Sequence, residues 1–170
     1  FLVEGPQAVR ELLTHAPEAA LDVYISYDGD GFVELERLAD EHGVYVTSVT
    51  REVMQTMSDT VTPQGIVAVA KMENHSLEET LHDAGLVAVL HEVRDPGNAG
   101  TVLRAADAAG ADAVIFAGDS IDPWNPKVVR STTGSLFHLP VVTGVTLEDV
   151  RTVATAQGMT LLAADVGGEN

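Results

Sequence analysis

The stretch Asp95-Pro-Gly-Asn-Ala-Gly-Thr-Val-Leu-Arg104 decides the interpretation of the second half of this chain. The apolar run Leu86–Leu90 before it has the length of a buried strand. Pro96 and Gly97 end that strand. A tightly packed helix is predicted after the loop, from the small and apolar residues Val102, Leu103, Ala105, Ala106, Ala108 and Ala109. The stretch is therefore predicted to be a strand, a sharp loop and the start of a helix.

Two polar side chains of this stretch, Asn98 and Arg104, are candidates for function. Ligands of open α/β sheets usually bind in the loops that follow the carboxyl ends of the strands. Asn98 could cap the helix, orient Arg104 or contact a ligand, since an amide oxygen suits all three roles. The planar guanidinium of Arg104 suits a phosphate group. The alternative is an ordinary loop whose arginine makes a structural salt bridge.

A second block lies about thirty residues further on, Asp122-Pro-Trp-Asn-Pro-Lys-Val-Val-Arg130 followed by Ser131-Thr-Thr-Gly-Ser-Leu-Phe-His-Leu-Pro140. This block and the spacing Asn98-x-Gly-x-x-x-Arg104 resemble the first two motifs of the SpoU/TrmH-type RNA 2′-O-ribose methyltransferases of the SPOUT superfamily. The resemblance implies an enzyme that transfers a methyl group from S-adenosylmethionine to a ribose 2′-hydroxyl of rRNA or tRNA. It also implies a homodimer.

The resemblance assigns site residues. Arg104 and Asn98 match catalytic positions, although arginine stays protonated at neutral pH and so makes a poor base. Phosphate binding is the role that the chemistry of Arg104 itself supports. The expected RNA contacts are Arg94, Lys127, Arg130 and Thr132. Thr132 stands where the family commonly has serine or glutamate.

The family's third motif threads a trefoil knot and forms most of the S-adenosylmethionine pocket. We expect it beyond Asn170, so that the knot region is absent from this chain. A predicted strand over 159–164 would bring Ala164 and Asp165 to one edge of the cofactor pocket. We therefore expect the 170-residue chain alone to show neither S-adenosylmethionine binding nor methyl transfer.

The residues before the linker predict a smaller α/β unit. It consists of a helix from Pro6, strands at 22–26, 44–47 and 66–70, and helices at 32–41 and 51–57. Val3-Glu-Gly-Pro6 and Thr62-Pro-Gln-Gly-Ile-Val-Ala-Val69 resemble the ribosomal-protein-like recognition domain of many such methyltransferases.

The later residues alternate strand and helix, which indicates a mostly parallel sheet. The predicted elements lie at 86–91, 98–109, 112–117, 125–132, 136–142, 147–157 and 159–164. The expected organisation is an α/β protein with a recognition domain at 1–72, a linker at 73–84 and an incomplete SPOUT catalytic domain at 85–170.

The net charge of −17 argues against a general nucleic-acid-binding surface. The charges are unevenly distributed, since residues 94–130 hold four of the nine basic residues and only five of the 26 acidic ones. A few placed contacts to a polyanion are compatible with that pattern. Trp124 could stack on a base or serve as a packing anchor.

The chain has no cysteine, and its six histidines show no metal-ligand spacing, so we expect no metal. No apolar run approaches the length of a membrane span, and we expect a cytoplasmic protein without membrane contact. Two other functions stay open. One is an RNA-binding module that kept the fold but lost the methyl-donor site, and the other is an unrelated small-molecule-binding α/β protein.

Overall fold

The computed structural model describes residues 1–27 and 31–164. Its first sheet contains β1 (Leu2–Glu4), β2 (Ala20–Ser26), β3 (Tyr45–Val49) and β4 (Ile66–Ala70), in the spatial order β1-β4-β2-β3. Strand β4 runs antiparallel to both of its neighbours, whereas β2 and β3 are parallel. Three helices accompany this sheet, namely α1 (Pro6–His15), α2 (Val33–Glu41) and α3 (Arg51–Met57).

Helix α1 shows why the sequence folds in this way. Pro6 occupies the first turn, where its missing N–H costs nothing. Val9, Leu12 and Leu13 are fully buried in the core beneath the sheet, at the spacing of one helical face. The predicted helices and strands of this unit are confirmed within a few residues, and α3 and β4 have the predicted bounds.

The second sheet is parallel and consists of β5 (Val87–His91), β6 (Ala113–Ala117) and β7 (Val141–Val145), with β6 in the centre. Its helices are α4 (Leu77–Leu81), α5 (Pro96–Ala108), α6 (Pro126–Thr132) and α7 (Leu147–Ala156). Val114 and Phe116 of β6 pack with α5 and α6. Ile115 and Ala117 pack with α4 and α7 on the opposite face. This three-layer arrangement explains why every residue of β6 is buried and apolar.

Two predicted strands differ from the structure. The segment expected to begin a strand at 136 first forms a short 3₁₀ turn, Ser135–Phe137, because Thr133 and Gly134 both have positive φ, and β7 begins only at Val141. The strand predicted at 159–164 is absent from the described residues. Its side chains find no sheet partner there, and Leu162 is 91% exposed.

The two sheets are joined through several contacts between their units. Phe1 stacks on Phe137 with 6.4 Å between ring centroids. The segment predicted as a linker runs beside β7, where Asn74 Oδ1 accepts hydrogen bonds from Thr143 N at 2.8 Å and Thr143 Oγ1 at 3.0 Å. The backbone N–H of His75 donates to Val141 O at 3.1 Å. Among the described residues, no helix has the length and apolarity needed to cross a membrane.

Candidate active site

The loop between β5 and α5 is fixed by its own side chains. Asp95 is the N-cap of α5, and its Oδ1 accepts a hydrogen bond from Asn98 N at 2.7 Å. Pro96 then occupies the first helical position. Of the three roles that the sequence left open for Asn98, capping the helix is the one that the structure does not show, because the helix begins two residues earlier than predicted. Its side chain is left available for another role.

A close contact between α5 and α6 holds the start of α5 in place. A β-carbon built on Gly100 would lie 2.0 Å from Ser131 Oγ and 2.7 Å from Ser131 C, so only glycine fits. The Ser131 hydroxyl lies 2.8 Å from Pro96 O and 2.7 Å from Val128 O, both acceptors. Ser131 thereby contacts the active-site loop and its own helix together. Sequence analysis missed this residue, although it lies within the second motif.

Asn98 and Arg104 are both exposed on α5. Within residues 1–27 and 31–164, neither side chain makes a hydrogen bond or ion pair with another residue. Six residues of helix correspond to a rise of about 9 Å and a rotation of about 240°. The two side chains therefore point in different directions from the helix. A rigid helix that presents a free guanidinium and a free amide is suited to binding an anionic, hydrogen-bonding ligand.

The carboxyl edge of the sheet is closed by a second loop, which follows β6. Ser120 Oγ lies 2.7 Å from Ala117 O and accepts a hydrogen bond from Val93 N at 3.2 Å. Ile121 N donates to Val93 O at 2.7 Å, which joins the loops after β5 and β6. A groove of about 280 Å³ lies beside this junction. Its lining includes Phe116, Gly118, Trp124, Thr143 and Gly144.

The four residues expected to contact RNA are placed in four different settings. Lys127 is exposed, and its ammonium group has no polar partner in the described part of the chain. Arg94 is also exposed and pairs with Asp119 at 2.9 Å between Nη2 and Oδ2. Arg130 is half-buried and pairs with two carboxylates of the first unit. Its Nη2 is 2.9 Å from Asp59 Oδ2 and its Nη1 is 3.5 Å from Glu4 Oε1.

Thr132 is fully buried, with its hydroxyl donating to Val129 O at 2.7 Å. The structure thus places it in the core and not on a surface that RNA could touch. Ala164 is exposed and lies outside any strand, so the strand that was predicted to carry it is not formed in the described residues. Asp165 lies outside the described residues.

Two family models cover nearly all of the chain. The SpoU rRNA Methylase family matches residues 85–170, and the family described as RNA 2′-O ribose methyltransferase substrate binding matches residues 2–76. The chain therefore belongs to the SpoU rRNA methylase family, as its two motifs indicated. The α/β fold with a parallel sheet agrees with that membership.

Individual relatives agree with the family. The chain is 37% identical over 142 residues to the 23S rRNA (guanosine(2553)-2′-O)-methyltransferase of Bacillus subtilis. The match covers 84% of this chain and 53% of that protein. An AdoMet-bound rRNA methyltransferase from Sinorhizobium meliloti superimposes with a TM-score of 0.77 at 29% identity, covering 92% of this chain and 58% of that one. The SpoU methyltransferase AviRb from Streptomyces viridochromogenes, in complex with AdoMet, gives a TM-score of 0.74 at 27% identity, with 93% and 60% covered. The chain thus spans little more than half the length of these proteins.

Proposed function

We propose that this chain forms the recognition domain and most of the catalytic domain of an S-adenosylmethionine-dependent RNA 2′-O-ribose methyltransferase acting on rRNA or tRNA. The observation that supports this most strongly is the pair of free side chains, Asn98 and Arg104, on a helix whose start is locked by Asp95 and Ser131. In the proposal, residues 1–72 recognise RNA, 73–84 connect, and 85–170 carry the reaction.

Arg104 binds a phosphate of the substrate in this mechanism. Its guanidinium stays protonated, so it holds the nucleotide by charge-assisted hydrogen bonds and does not itself remove the 2′-hydroxyl proton. Fixing the ribose against the methyl donor lowers the entropic part of the barrier. Asn98 supplies a second hydrogen-bonding group on the same helix. The family resemblance implies that the substrate phosphate assists the deprotonation of the 2′-hydroxyl.

S-adenosylmethionine supplies an electrophilic methyl group on its sulfonium. The residues that would contact it form one side of a pocket. The groove at the ends of β6 and β7 has apolar walls from Phe116 and Trp124. At Gly118 and Gly144, which have no side chain, a ligand could come close to the backbone. The volume of the groove, about 280 Å³, is slightly smaller than the volume of ordinary ligand sites, which is about 300 to 1,000 Å³. This supports a partial cofactor site, to which Ala164 and Asp165 are proposed to contribute.

RNA contacts in the proposal come mainly from exposed cations. Lys127 is free, and Arg94 can exchange Asp119 for a phosphate, because a fully exposed ion pair stabilises the protein only slightly. Arg130 keeps a role in RNA binding only if phosphate replaces Asp59. Thr132 contributes through the packing of α6, since its side chain is buried.

A homodimer and a cytoplasmic location belong to the same proposal. Apolar side chains are exposed on the β5 side of the second sheet and on α5, where Leu86, Val89 and Val102 are each about two-fifths to one-half exposed. We propose that these side chains contribute to the interface of the homodimer. The cytoplasmic location is proposed because ribosomes and tRNA, which carry the candidate substrate RNAs, act there.

The proposal is tested by mapping ribose methylation in rRNA and tRNA from cells that lack the gene. We expect one or a few 2′-O-methyl groups to disappear and to return when the intact gene is restored. A gene carrying Arg104→Ala should fail to restore them, although the protein is still made. Unchanged methylation in the deletion strain would contradict the proposal and favour a non-catalytic RNA-binding module.

A further inference from the structure

Four titratable side chains from three distant segments meet between the two units. Glu11 and His15 lie one turn apart on α1, Asp107 lies near the end of α5, and His138 follows the 3₁₀ turn Ser135–Phe137. His138 Nε2 is 3.0 Å from Glu11 Oε2, and His15 Nε2 is 3.4 Å from the same oxygen. The rings of His15 and His138 are 4.2 Å apart between centroids. The methyl-transfer mechanism uses none of these residues.

The spacing of Glu11, His15 and His138 fits a tetrahedral metal ion. Zinc binds histidine nitrogen at about 2.0–2.1 Å and carboxylate oxygen at about 2.0–2.2 Å, which places neighbouring ligand atoms about 3.3–3.5 Å apart. The two distances to Glu11 Oε2 are within a few tenths of an ångström of that value. One ligand atom from each of Glu11, His15 and His138 lies within 4.8 Å of the others. A modest side-chain rotation would complete the triangle.

Neighbouring groups orient the ligands as they do in metal sites. His138 Nδ1 lies 2.9 Å from Asp107 Oδ2, which leaves Nε2 directed toward Glu11. A carboxylate on the second nitrogen of a ligating histidine is a common feature of zinc sites. Gln7 donates to the other oxygen of Glu11, which fixes that carboxylate.

The contact between Glu11 and His138 depends on the glycine at position 134. Gly134 has a φ of +108°, and a β-carbon there would lie 2.2 Å from Glu11 Cγ. Only glycine therefore allows α1 to come close enough for Glu11 to reach His138. His15 and His138 also line a groove of about 240 Å³ between the two units, which leaves room for water beside them.

We propose that Glu11, His15 and His138 bind one divalent transition-metal ion of the zinc type between the two units, with Asp107 as a positioning residue for His138. The fourth ligand is water from the groove. Because the three ligands come from both units, the bound ion fixes the recognition unit against the catalytic one. This proposal is independent of the methyl-transfer activity.

The test is calorimetric titration of Zn²⁺ into the chain, prepared without a histidine tag and stripped with a chelator. We expect saturable binding of one ion per chain and a higher unfolding temperature with the metal. His15→Gln and His138→Gln should each abolish the site, and Asp107→Asn should weaken it by about 10- to 100-fold. His42→Gln is the matched control, since His42 is exposed on the far end of α2 and should bind as the parent does.

Cobalt gives a second readout that needs no variant. Co²⁺ bound to the parent should show the intense visible absorption of a tetrahedral ion. Weak binding at many sites, a pale octahedral spectrum, or equal Zn²⁺ affinity in the parent and in His138→Gln would overturn the proposal. So would loss of binding in His42→Gln, because it would place the ion elsewhere. Circular dichroism of each variant separates loss of the site from loss of the fold.

Discussion

Gly100 and Ser131 are in direct contact where α5 crosses α6, with no room for even a methyl group between them. The contact places the Ser131 hydroxyl against Pro96 O, in the first turn of the helix that carries Asn98 and Arg104. A packing constraint in the helix pair thus fixes the position of the candidate active site. Both residues lie within the motifs that define the family resemblance.

Gly100→Ala should destabilise the protein by about 1–3 kcal/mol, the usual cost of overpacking. The clash with Ser131 C cannot be relieved by a side-chain rotation, and it outweighs the helix propensity gained with alanine. Urea unfolding measures the difference. Gly97→Ala, on the same helix, is the control, since its nearest neighbour would be Asp95 Oδ1 at 3.1 Å. Equal stability of the two variants would contradict the contact.

Asp95→Ala should cost about 1 kcal/mol of stability through loss of the N-cap of α5, whereas Asp95→Asn should keep most of it. Asn98→Ala should stay within about 0.5 kcal/mol of the parent, because its side chain caps nothing. Thermal unfolding of the three variants checks this. A larger loss in Asn98→Ala than in Asp95→Ala would show that the helix starts where the sequence alone suggested.

Asp112 should contribute to stability in a pH-dependent way. Backbone N–H groups of Leu86 and Gly85 donate to its Oδ2 and hold the pKa of Asp112 below its ordinary value. A depressed folded-state pKa means that the contribution is fully present above the unfolded pKa, about 3.9, and is lost as the pH falls through the folded value. The stability difference between the parent and Asp112→Asn should therefore be constant at neutral pH and shrink in acid. A difference that grows as the pH falls would contradict this.

Arg130→Ala should destabilise the contact between the two units by about 1–3 kcal/mol, because it leaves the buried Glu4 carboxylate without its cation. Lys127→Ala, one turn earlier on α6, should have almost no effect on stability. Chemical denaturation compares the two. The opposite ranking would mean that Arg130 is free for RNA and that the pairs with Glu4 and Asp59 are dispensable.

Local patterns in the sequence predicted most of the fold. Apolar runs and helical spacing located β4, β5, β6 and α3. Each of these elements is marked by a local pattern of apolar residues, which shows the side that is buried. The sequence left capping open as one role of Asn98, but the N-cap is Asp95. A signal for it existed, since Pro96 at the first helical position favours the residue before it as the cap. The strand predicted at 159–164 has the right composition but no partner among the described residues, and a strand needs one.

The remaining features depend on contacts between distant residues. Arg130 was assigned to RNA because its spacing from Lys127 placed both on one helical face. Spacing could not reveal that Glu4 and Asp59, which precede it by 126 and 71 residues, pair with it. The meeting of Glu11 and His138 was missed for the same reason, because no local spacing relates residues 127 positions apart.

Arg104→Ala in the protein as it occurs in the cell tests the proposed mechanism most directly. Arg151→Ala is the matched control, an exposed arginine on α7 whose pair with Glu148 stays within its own helix. The measurement is kcat/KM for methyl transfer to the substrate RNA, with thermal unfolding of each variant alongside. We predict a loss of at least about tenfold for Arg104→Ala, or about 1.4 kcal/mol of transition-state stabilisation, with no change in unfolding temperature and no loss for Arg151→Ala. Equal kcat/KM in Arg104→Ala and the parent would contradict the role of Arg104 as the phosphate-binding group of the reaction.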